Sequence, residues 1–336
     1  MIRLYGTSIG NGSFARVTEG MLSALEELGQ LSGFVPVDAY DEESCYPGYD
    51  AETAVFVADP RAAGMMQTIG VHQQRLVLLP ANSSYMPKNL IERLEKLVTG
   101  FLAPSTWAAE VLRLYTKLPV EIWRHGVSPA FAPVRKELEA REKEFIDGTF
   151  RVAHLSSTSR ERKGTRELLK AWRLAKPYLG QAWLHMYVDC PEGFYGDDGI
   201  DSSIVWHNRL DLDVKRAAEL YCSYHLIAQP SRAEGFGLVP LEARACGVPV
   251  LMTRCTGHAD HIGPGVIALE TGPNEPIDDG PGAIAPSLYA NEIKEGLLMA
   301  NRQWISIQER ILKYAPDVSK EWSWKNVTEK WLKEYK

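Results

Sequence analysis

The sequence predicts an α/β protein with two parallel-sheet domains. Strand-like and helix-like segments alternate through residues 2–123, and the alternation restarts at residue 150. Between the two regions lies a highly charged stretch, which contains RKELEAREKE. Alternating strands and helices are typical of a parallel sheet that is covered on both faces. The length of 336 residues agrees with about two domains.

In the first region, short apolar runs predict strands and apolar residues at helical spacing predict helices. The helix at residues 14–28 ends at Gly29, which is a typical residue after a helix. The predicted strands are residues 2–5, 34–37, 53–58, 75–79, 101–103 and 120–123. The predicted helices are residues 14–28, 90–98 and 106–116.

The second region repeats this pattern and ends in a helix with aromatic residues. The predicted strands are residues 150–155, 183–188, 225–229 and 249–252. The predicted helices are residues 165–175, 214–222, 238–246 and 322–335. A mixed charge run is typical of a solvated linker or surface helix. We therefore predict a first domain of residues 1–133 plus a C-terminal helix at 318–336, a charged linker at 134–149, and a second domain at 150–317.

Composition and charge exclude several classes of protein. The chain is 45% hydrophobic and 24% charged, which is typical of a globular protein. The formal net charge of −6 disfavours a protein that coats nucleic acid non-specifically. The five cysteines lack C-x-x-C spacing, which favours a reducing compartment over a disulfide framework. With neither a signal peptide nor a membrane span recognisable, we expect a cytoplasmic protein without integral membrane association.

The most informative motif is PSRAEGFGLVPLEARACGVPV at residues 230–250. A strand precedes it, and its glycines allow a ligand to approach the main chain. A helix that starts near Leu238 would direct free N–H groups and its positive dipole end toward an anion. Glu234 would lie in the turn, and Glu242 about one turn into the helix. In a parallel sheet, ligands bind at this end of the strands.

This motif resembles the donor-site signature of glycosyltransferase family 4 and related GT-B enzymes. The two glutamates are eight residues apart, within EGFGLVPLE and followed by GVPV. Other segments are similar to further parts of that family, namely GNGSFAR at 10–16, FLAPSTW at 101–107, WRHGVSPAFAP at 123–133, RKGTRELLKAW at 162–172 and WSWKNVTEKWL at 322–332. The resemblance implies two Rossmann-like domains with parallel sheets facing a central cleft, and a C-terminal helix that crosses back to the first, acceptor-side domain.

The resemblance also implies the activity, which is retaining transfer of a sugar from a UDP- or GDP-sugar co-substrate without an obligatory metal. Glu242 would bind the ribose, Glu234 the transferred sugar, and Lys163 the diphosphate. The residues expected to act in catalysis are Glu234, Lys163 and Arg160. The residues expected to bind the donor are Gly12, Ser13, Arg162, Leu210, Gly235, Phe236, Gly237, Leu238 and Glu242.

The chain departs from the family at two positions. The family arginine six residues before the lysine is replaced by Ser157, so that Arg160 or Arg162 would supply the charge. The family histidine of the first domain is replaced within PANSSYMP, where Asn82, Ser83 or Tyr85 would occupy the space. These departures leave the transferred sugar undecided.

Three other groups of residues invite a functional interpretation. The spacing H-x-x-H within TGHADH, at residues 256–261, is a weak metal signal, and a loop near the sugar or acceptor is favoured. The sequence DLD at residues 211–213 imitates a metal-binding D-x-D, although a helix cap at Asp213 explains it better. His125 is interpreted as structural.

The acceptor stays open between a small molecule, glycan or lipid-linked hydroxyl, which is favoured, and a hydroxymethylated pyrimidine in DNA. The compact size and the eight basic residues between residues 151 and 176 support the second alternative. A catalytically weak nucleotide-sugar-binding module is a third alternative, and a GT-B-shaped epimerase a fourth.

Overall fold

The computed structural model describes residues 1–7, 13–37, 52–57, 73–156, 161–188, 201–207 and 212–335. The chain forms two compact units, one from residues 1–128 and 320–336 and the other from residues 129–319. Each unit is built on a six-stranded sheet. The described part of the chain has no helix that is long and apolar enough to cross a membrane.

The sheet of the first unit is parallel and has the order β2-β1-β3-β4-β5-β6. Its strands are β1 (Ile2–Gly6), β2 (Leu31–Pro36), β3 (Thr53–Val57), β4 (Gln74–Leu78), β5 (Gly100–Ala103) and β6 (Val120–Ile122). β3 and β5 are buried at every residue, as strands between two covered faces are. The predicted strands of this region are confirmed, with small shifts of their ends.

The helices of the first unit are α1 (Ser13–Glu27), α2 (Lys88–Leu94), α3 (Thr106–Arg113) and the C-terminal helix, here called α10 (Trp324–Glu334). The ring of Trp331 stacks on Trp123 with centroids 4.0 Å apart. The indole of Trp123 also donates a hydrogen bond of 3.2 Å to Thr328 Oγ1. A Cβ at Gly20 of α1 would lie 2.1 Å from the ring of Trp324, so this glycine lets α10 pack closely. The C-terminal helix lies in the first unit.

The sheet of the second unit is parallel and has the order β12-β11-β10-β7-β8-β9. Its strands are β7 (Thr149–Ser156), β8 (Gln181–Val188), β9 (Ile204–His207), β10 (Leu226–Gln229), β11 (Val250–Thr253) and β12 (Val266–Leu269). A separate antiparallel hairpin is formed by β13 (Asn274–Pro276) and β14 (Ile284–Pro286). The strand order changes direction between β7 and β10, which is where ligands bind in such sheets.

The remaining helices of the described chain are α4 (Arg135–Ile146), α5 (Thr165–Ala175), α6 (Val214–Cys222), α7 (Leu238–Ala245), α8 (Ala290–Arg302) and α9 (Trp304–Glu321). Short 3₁₀ turns follow α5 at Lys176–Tyr178 and β11 at Thr256–His261. The Asp213 carboxylate accepts a hydrogen bond of 2.9 Å from the Arg216 N–H, which confirms the predicted cap of α6.

Residues 135–146, for which the charge pattern predicts a solvated linker or surface helix, form α4. One side of this helix packs into the interior of the second unit, where Arg141 is buried. Its guanidinium donates hydrogen bonds of 2.7 Å to the Tyr224 carbonyl and 2.6 Å to Gln308 Oε1. The same group lies 5.5 Å from the centre of the Trp304 ring. The compact units divide before this helix, between Ser128 and Pro129.

Candidate functional site

The candidate site surrounds the turn between β10 and α7. The helix begins at Leu238, and this confirms the predicted start of the helix. Gly237 precedes it with φ of 95°, a left-handed conformation that favours glycine. A Cβ at this position would lie 2.4 Å from Cδ2 of His258, so a larger residue has no room. The first N–H groups of α7 have no side-chain cap, which leaves them available to an anion.

Glu234 lies in this turn and forms ion pairs with two cations from the turn before α5. Its Oε1 is 2.5 Å from the Lys163 ammonium, and its Oε2 is 3.5 Å from the Arg162 guanidinium. Lys163 and Arg162 follow β7, and β7 pairs with β10 in the sheet. The carboxyl ends of two adjacent parallel strands therefore bring together charges that are 71 residues apart in sequence.

The local electrostatics keep Glu234 ionised. Its side chain is 7% exposed, and burial alone raises the pKa of a carboxyl group. The neighbouring Lys163 and Arg162 outweigh burial and hold the pKa of Glu234 well below its usual 4.5. The site thus combines a carboxylate with two cations, which is an arrangement able to bind hydroxyl groups and phosphate oxygens together.

Arg162 has a second function in this turn because it also fixes the main chain. Its Nη1 donates a hydrogen bond of 2.8 Å to the Ala233 carbonyl, and its Nε is 3.8 Å from Asp279 Oδ1. The predicted alternative, Arg160, lies outside the described residues, as does Ser157. Of the two arginines weighed from the sequence, Arg162 is the one observed beside Glu234.

The sequence prediction missed Arg232, which ties the turn to the β13–β14 hairpin. This arginine is buried and donates hydrogen bonds of 2.9 Å to the Pro286 carbonyl and 2.8 Å to Glu275 Oε1. It also donates at 3.2 Å to Glu161, one residue before Arg162. The only signal available in the sequence was an arginine two residues before Glu234. Its partners come from segments far along the chain.

Glu242 lies one turn into α7, as predicted, and is also buried. Its Oε2 accepts a hydrogen bond of 2.9 Å from the Tyr221 hydroxyl at the end of α6. The Tyr221 ring stacks on Phe131 with centroids 5.8 Å apart. Tyr221 therefore fixes one carboxylate oxygen of Glu242, a contact that the sequence did not indicate.

The loop at Thr256–His261 wraps around the Glu234 turn. Thr256 has φ of 51°, and its hydroxyl accepts a hydrogen bond of 3.0 Å from the Glu234 N–H. The Gly257 N–H donates to the Glu234 carbonyl at 2.9 Å, and His261 Nε2 donates to the Phe236 carbonyl at 2.9 Å. Within the described residues, the structure has no group of three metal-ligating side chains. The loop holds the turn in shape.

The other predicted residues are distributed as follows. Gly12 and Leu210 lie outside the described residues, and Ser13 begins α1 in the first unit. Gly235 and Phe236 lie between Glu234 and Gly237, and Phe236 is buried. His125, Asn82, Ser83 and Tyr85 are all in the first unit. His125 is buried beside the Trp324 ring, 5.8 Å away between centroids.

The part of the chain that contains this turn is similar to a known protein family. Residues 149–289 match the family model of glycosyl transferases group 1. Lys163, Glu234 and Glu242 all lie in the matched segment. A D-inositol 3-phosphate glycosyltransferase of Corynebacterium urealyticum is 32% identical over 117 residues, which are 35% of this chain and 24% of the relative. A protein of the same name from Mycobacterium marinum is 29% identical over 119 residues, or 35% and 23% of the two chains.

The chain spans about a quarter of the length of these two curated relatives. Solved structures match along nearly the whole chain. HepE of Anabaena, in complex with UDP and glucose, has a TM-score of 0.68 at 13% identity and covers 99% of this chain and 98% of its own. Sucrose-phosphate synthase of Thermosynechococcus elongatus has a TM-score of 0.73 at 15% identity, with coverage of 99% and 98%. These likenesses show the fold, and the two parallel-sheet units are those of GT-B structures.

The buried ion pairs of Glu234 predict that the free energy of unfolding falls at acidic pH. Because the pKa of Glu234 is lowered on folding, its stabilising contribution is complete above about pH 4.5 and is lost as the pH falls. Between about pH 4.5 and 3, the free energy of unfolding of the wild type should fall more steeply than that of Glu234→Gln, by up to about 1.4 kcal/mol per pH unit. Urea unfolding followed by tryptophan fluorescence measures both slopes.

The matched control for this prediction is Glu139→Gln. Glu139 pairs with Arg135 at 2.6 Å, but both side chains are exposed, and exposed pairs contribute little to stability. Its acid slope should equal that of the wild type. Equal slopes for the wild type and Glu234→Gln would contradict the buried ion pairs.

Proposed function

We propose that this chain is a retaining glycosyltransferase that moves a sugar from a nucleoside-diphosphate sugar to a hydroxyl acceptor. The observation that carries the proposal is the cluster of Glu234, Lys163 and Arg162 beside the uncapped start of α7, with Glu242 one turn further on. The match of residues 149–289 to glycosyl transferases group 1 supports it. The sequence resemblance to family 4 supports the retaining mechanism.

The proposed donor site uses cations and a helix end for the diphosphate. Lys163 and Arg162 are placed to balance the charge that develops on the leaving diphosphate, and the first N–H groups of α7 add their dipole. Because Lys163 pairs with Glu234 in the structure, a diphosphate would compete with this carboxylate for the ammonium group. Gly235, Gly237 and Leu238 supply main chain near the phosphates. Gly12, Ser13 and Arg160 stay predictions from the sequence resemblance.

The two glutamates are proposed to bind hydroxyl groups of the donor. Glu234 accepts from the transferred sugar and Glu242 from the ribose, and Phe236 lies near the nucleotide. Leu210 stays a donor-site prediction from the sequence resemblance. The Glu234 carboxylate, which its neighbouring cations keep ionised, accepts hydrogen bonds strongly, and this suits its role. In a front-face reaction no protein nucleophile is required, because the leaving phosphate helps to deprotonate the acceptor hydroxyl.

The donor nucleotide is proposed to be UDP, since HepE was crystallised with UDP and glucose. The acceptor is proposed to be a small-molecule, glycan or lipid-linked hydroxyl. We also propose a cytoplasmic location. The cysteines described by the structure, Cys222, Cys246 and Cys255, are free thiols, as in a reducing compartment.

A screen of UDP and GDP sugars tests the proposed function. A donor at 100 times its dissociation constant should stabilise the protein by about 2.7 kcal/mol and raise its melting temperature. Incubation without acceptor should then release the nucleoside diphosphate slowly, and the sugar first released should keep the anomeric configuration of the donor. Binding without any release would favour the weak binding module. The absence of stabilisation by every nucleotide sugar would contradict the proposal.

A further inference from the structure

A buried histidine lies directly against the turn that precedes α7. His258, in the loop at Thr256–His261, is fully buried. Its Nε2 and Cδ2 would lie 2.7 and 2.4 Å from a Cβ at Gly237, so this edge of the imidazole faces the start of the helix. The ring is close enough to Glu234 and Lys163 for their charges to act on it. His258 is therefore part of the charged site, and it belongs to the loop for which the sequence favours a position near the sugar or acceptor.

The hydrogen bonds at Thr253 determine which ring nitrogen carries the proton. The Thr253 hydroxyl donates its single hydrogen to the Ser231 carbonyl. Its oxygen is 3.3 Å from His258 Nδ1, and so it can only accept from that nitrogen. Nδ1 therefore carries the hydrogen. Burial lowers the pKa of His258 to about 4, and the ring is neutral near pH 7.

The neutral ring leaves a lone pair on Nε2. This atom is buried and has no hydrogen-bond partner among the residues that the structure describes. A buried acceptor without a partner costs free energy, so such an atom is uncommon unless a ligand or water satisfies it. His261, three residues further on, differs because its Nε2 donates to the Phe236 carbonyl. His261 thus holds the main chain of the turn at Phe236, while His258 offers a hydrogen-bond acceptor near Glu234.

We propose that Nε2 of His258 accepts a hydrogen bond from a hydroxyl of the transferred sugar. This inference rests on the proposed function and adds a residue that selects the sugar. A lone pair attracts hydroxyl donors and repels phosphate oxygens, which carry only acceptors. The sugar is therefore the part of the donor that this atom recognises.

Two substitutions separate the two nitrogen atoms of the ring. His258→Asn retains a side-chain amide near Nδ1 that can donate to Thr253, but it removes the acceptor at Nε2. His258→Gln is longer and can place an amide oxygen near the former Nε2. Calorimetric titration with UDP-glucose, UDP-galactose and UDP, together with GDP-mannose and GDP, provides matched probes with and without a sugar.

For the sugar nucleotide that the wild type binds, His258→Asn should lower the affinity about five- to tenfold, whereas His258→Gln should lose less. Both variants should bind the corresponding nucleoside diphosphate as the wild type does. Monofluoro sugar analogues identify the hydroxyl, because fluorine cannot donate a hydrogen bond. The analogue at the recognised position should lose affinity for the wild type but not for His258→Asn.

Two results would overturn the inference in distinguishable ways. If His258→Asn weakened the nucleoside diphosphate and the sugar nucleotide equally, or weakened neither, His258 would be a structural residue or one satisfied by water. The proposed function would then stand. If the wild type bound no nucleotide sugar, the proposed function and this inference would both fail.

Discussion

Replacing Lys163 with methionine is expected to lower the turnover of donor by about 10²- to 10³-fold, as the loss of one donor to a developing anion does in other enzymes. The Lys163 ammonium lies 2.5 Å from Glu234, which is in the turn that precedes α7, where the diphosphate is proposed to bind. Methionine keeps much of the aliphatic length and removes the charge. Release of nucleoside diphosphate under saturating donor measures the effect. Lys170→Met, on the exposed side of α5, should leave turnover unchanged.

The same substitution has a separate effect on stability. Without Lys163, the buried Glu234 carboxylate retains one ion pair among the residues that the structure describes, with Arg162 at 3.5 Å. The free energy of unfolding should therefore fall by about 3 kcal/mol. Adding Glu234→Gln removes the unpaired charge and should recover most of that loss, while turnover stays low. If the double variant regained turnover together with stability, Lys163 would act only in folding.

The Glu242→Gln variant is expected to bind donor about 10- to 100-fold more weakly, because a hydrogen bond to a charged acceptor is worth about 1.5–3 kcal/mol. Glutamine retains the shape and can still accept from the Tyr221 hydroxyl, which lies 2.9 Å from the carboxylate. Since the proposed contact is to ribose, UDP and UDP-sugar should weaken by the same factor. Calorimetric titration with both ligands measures the two factors.

Tyr221→Phe is the matched control for Glu242. It removes the hydroxyl that holds the carboxylate without removing the carboxylate, so the expected loss of affinity is smaller than for Glu242→Gln. A loss of affinity for UDP-sugar alone would assign Glu242 to the transferred sugar instead of the ribose. Wild-type affinity for both ligands would contradict its assignment to the donor.

Local sequence patterns predict the elements that position the site. Helices α5 and α6 have the predicted bounds, and α7 begins where the motif places its start. These segments are predictable because glycines at positive φ, at Gly164 and Gly237, and the Asp213 cap are local signals. The facing turns after β7 and β10 also follow from the rules of parallel sheets.

The contacts within the site depend on segments that are distant in sequence. The pairing of Glu234 with both Lys163 and Arg162, and the function of Arg232, require the fold to be known. For His258, the spacing H-x-x-H suggested a weak metal motif. The tautomer of His258 depends on the Thr253 hydroxyl, which donates to the Ser231 carbonyl. The tautomer of His261 depends instead on the Phe236 carbonyl.

The segment at residues 266–317 shows a different limit of sequence patterns. It received no predicted element, although α8 buries Ile293, Leu297 and Ala300 at helical spacing. The segment before residue 287 is rich in glycine and proline, as a long loop is. It nevertheless contains the β13–β14 hairpin. Pro316 predicts the end of a helix because it lacks an N–H group, yet α9 continues through it to Glu321.

The assignment of residues 320–336 to the first unit has a consequence for biosynthesis. The second unit interrupts the first by roughly 190 residues. A ribosome that adds about 5–20 residues per second would produce Trp331 roughly 10–40 s after Trp123, on which it stacks. The whole second unit is synthesised between these two residues. Because the chain is made from its N-terminus, the amino-terminal sheet can acquire its last helix only after the whole inserted unit has been synthesised, which departs from the usual N-terminal-first order of folding.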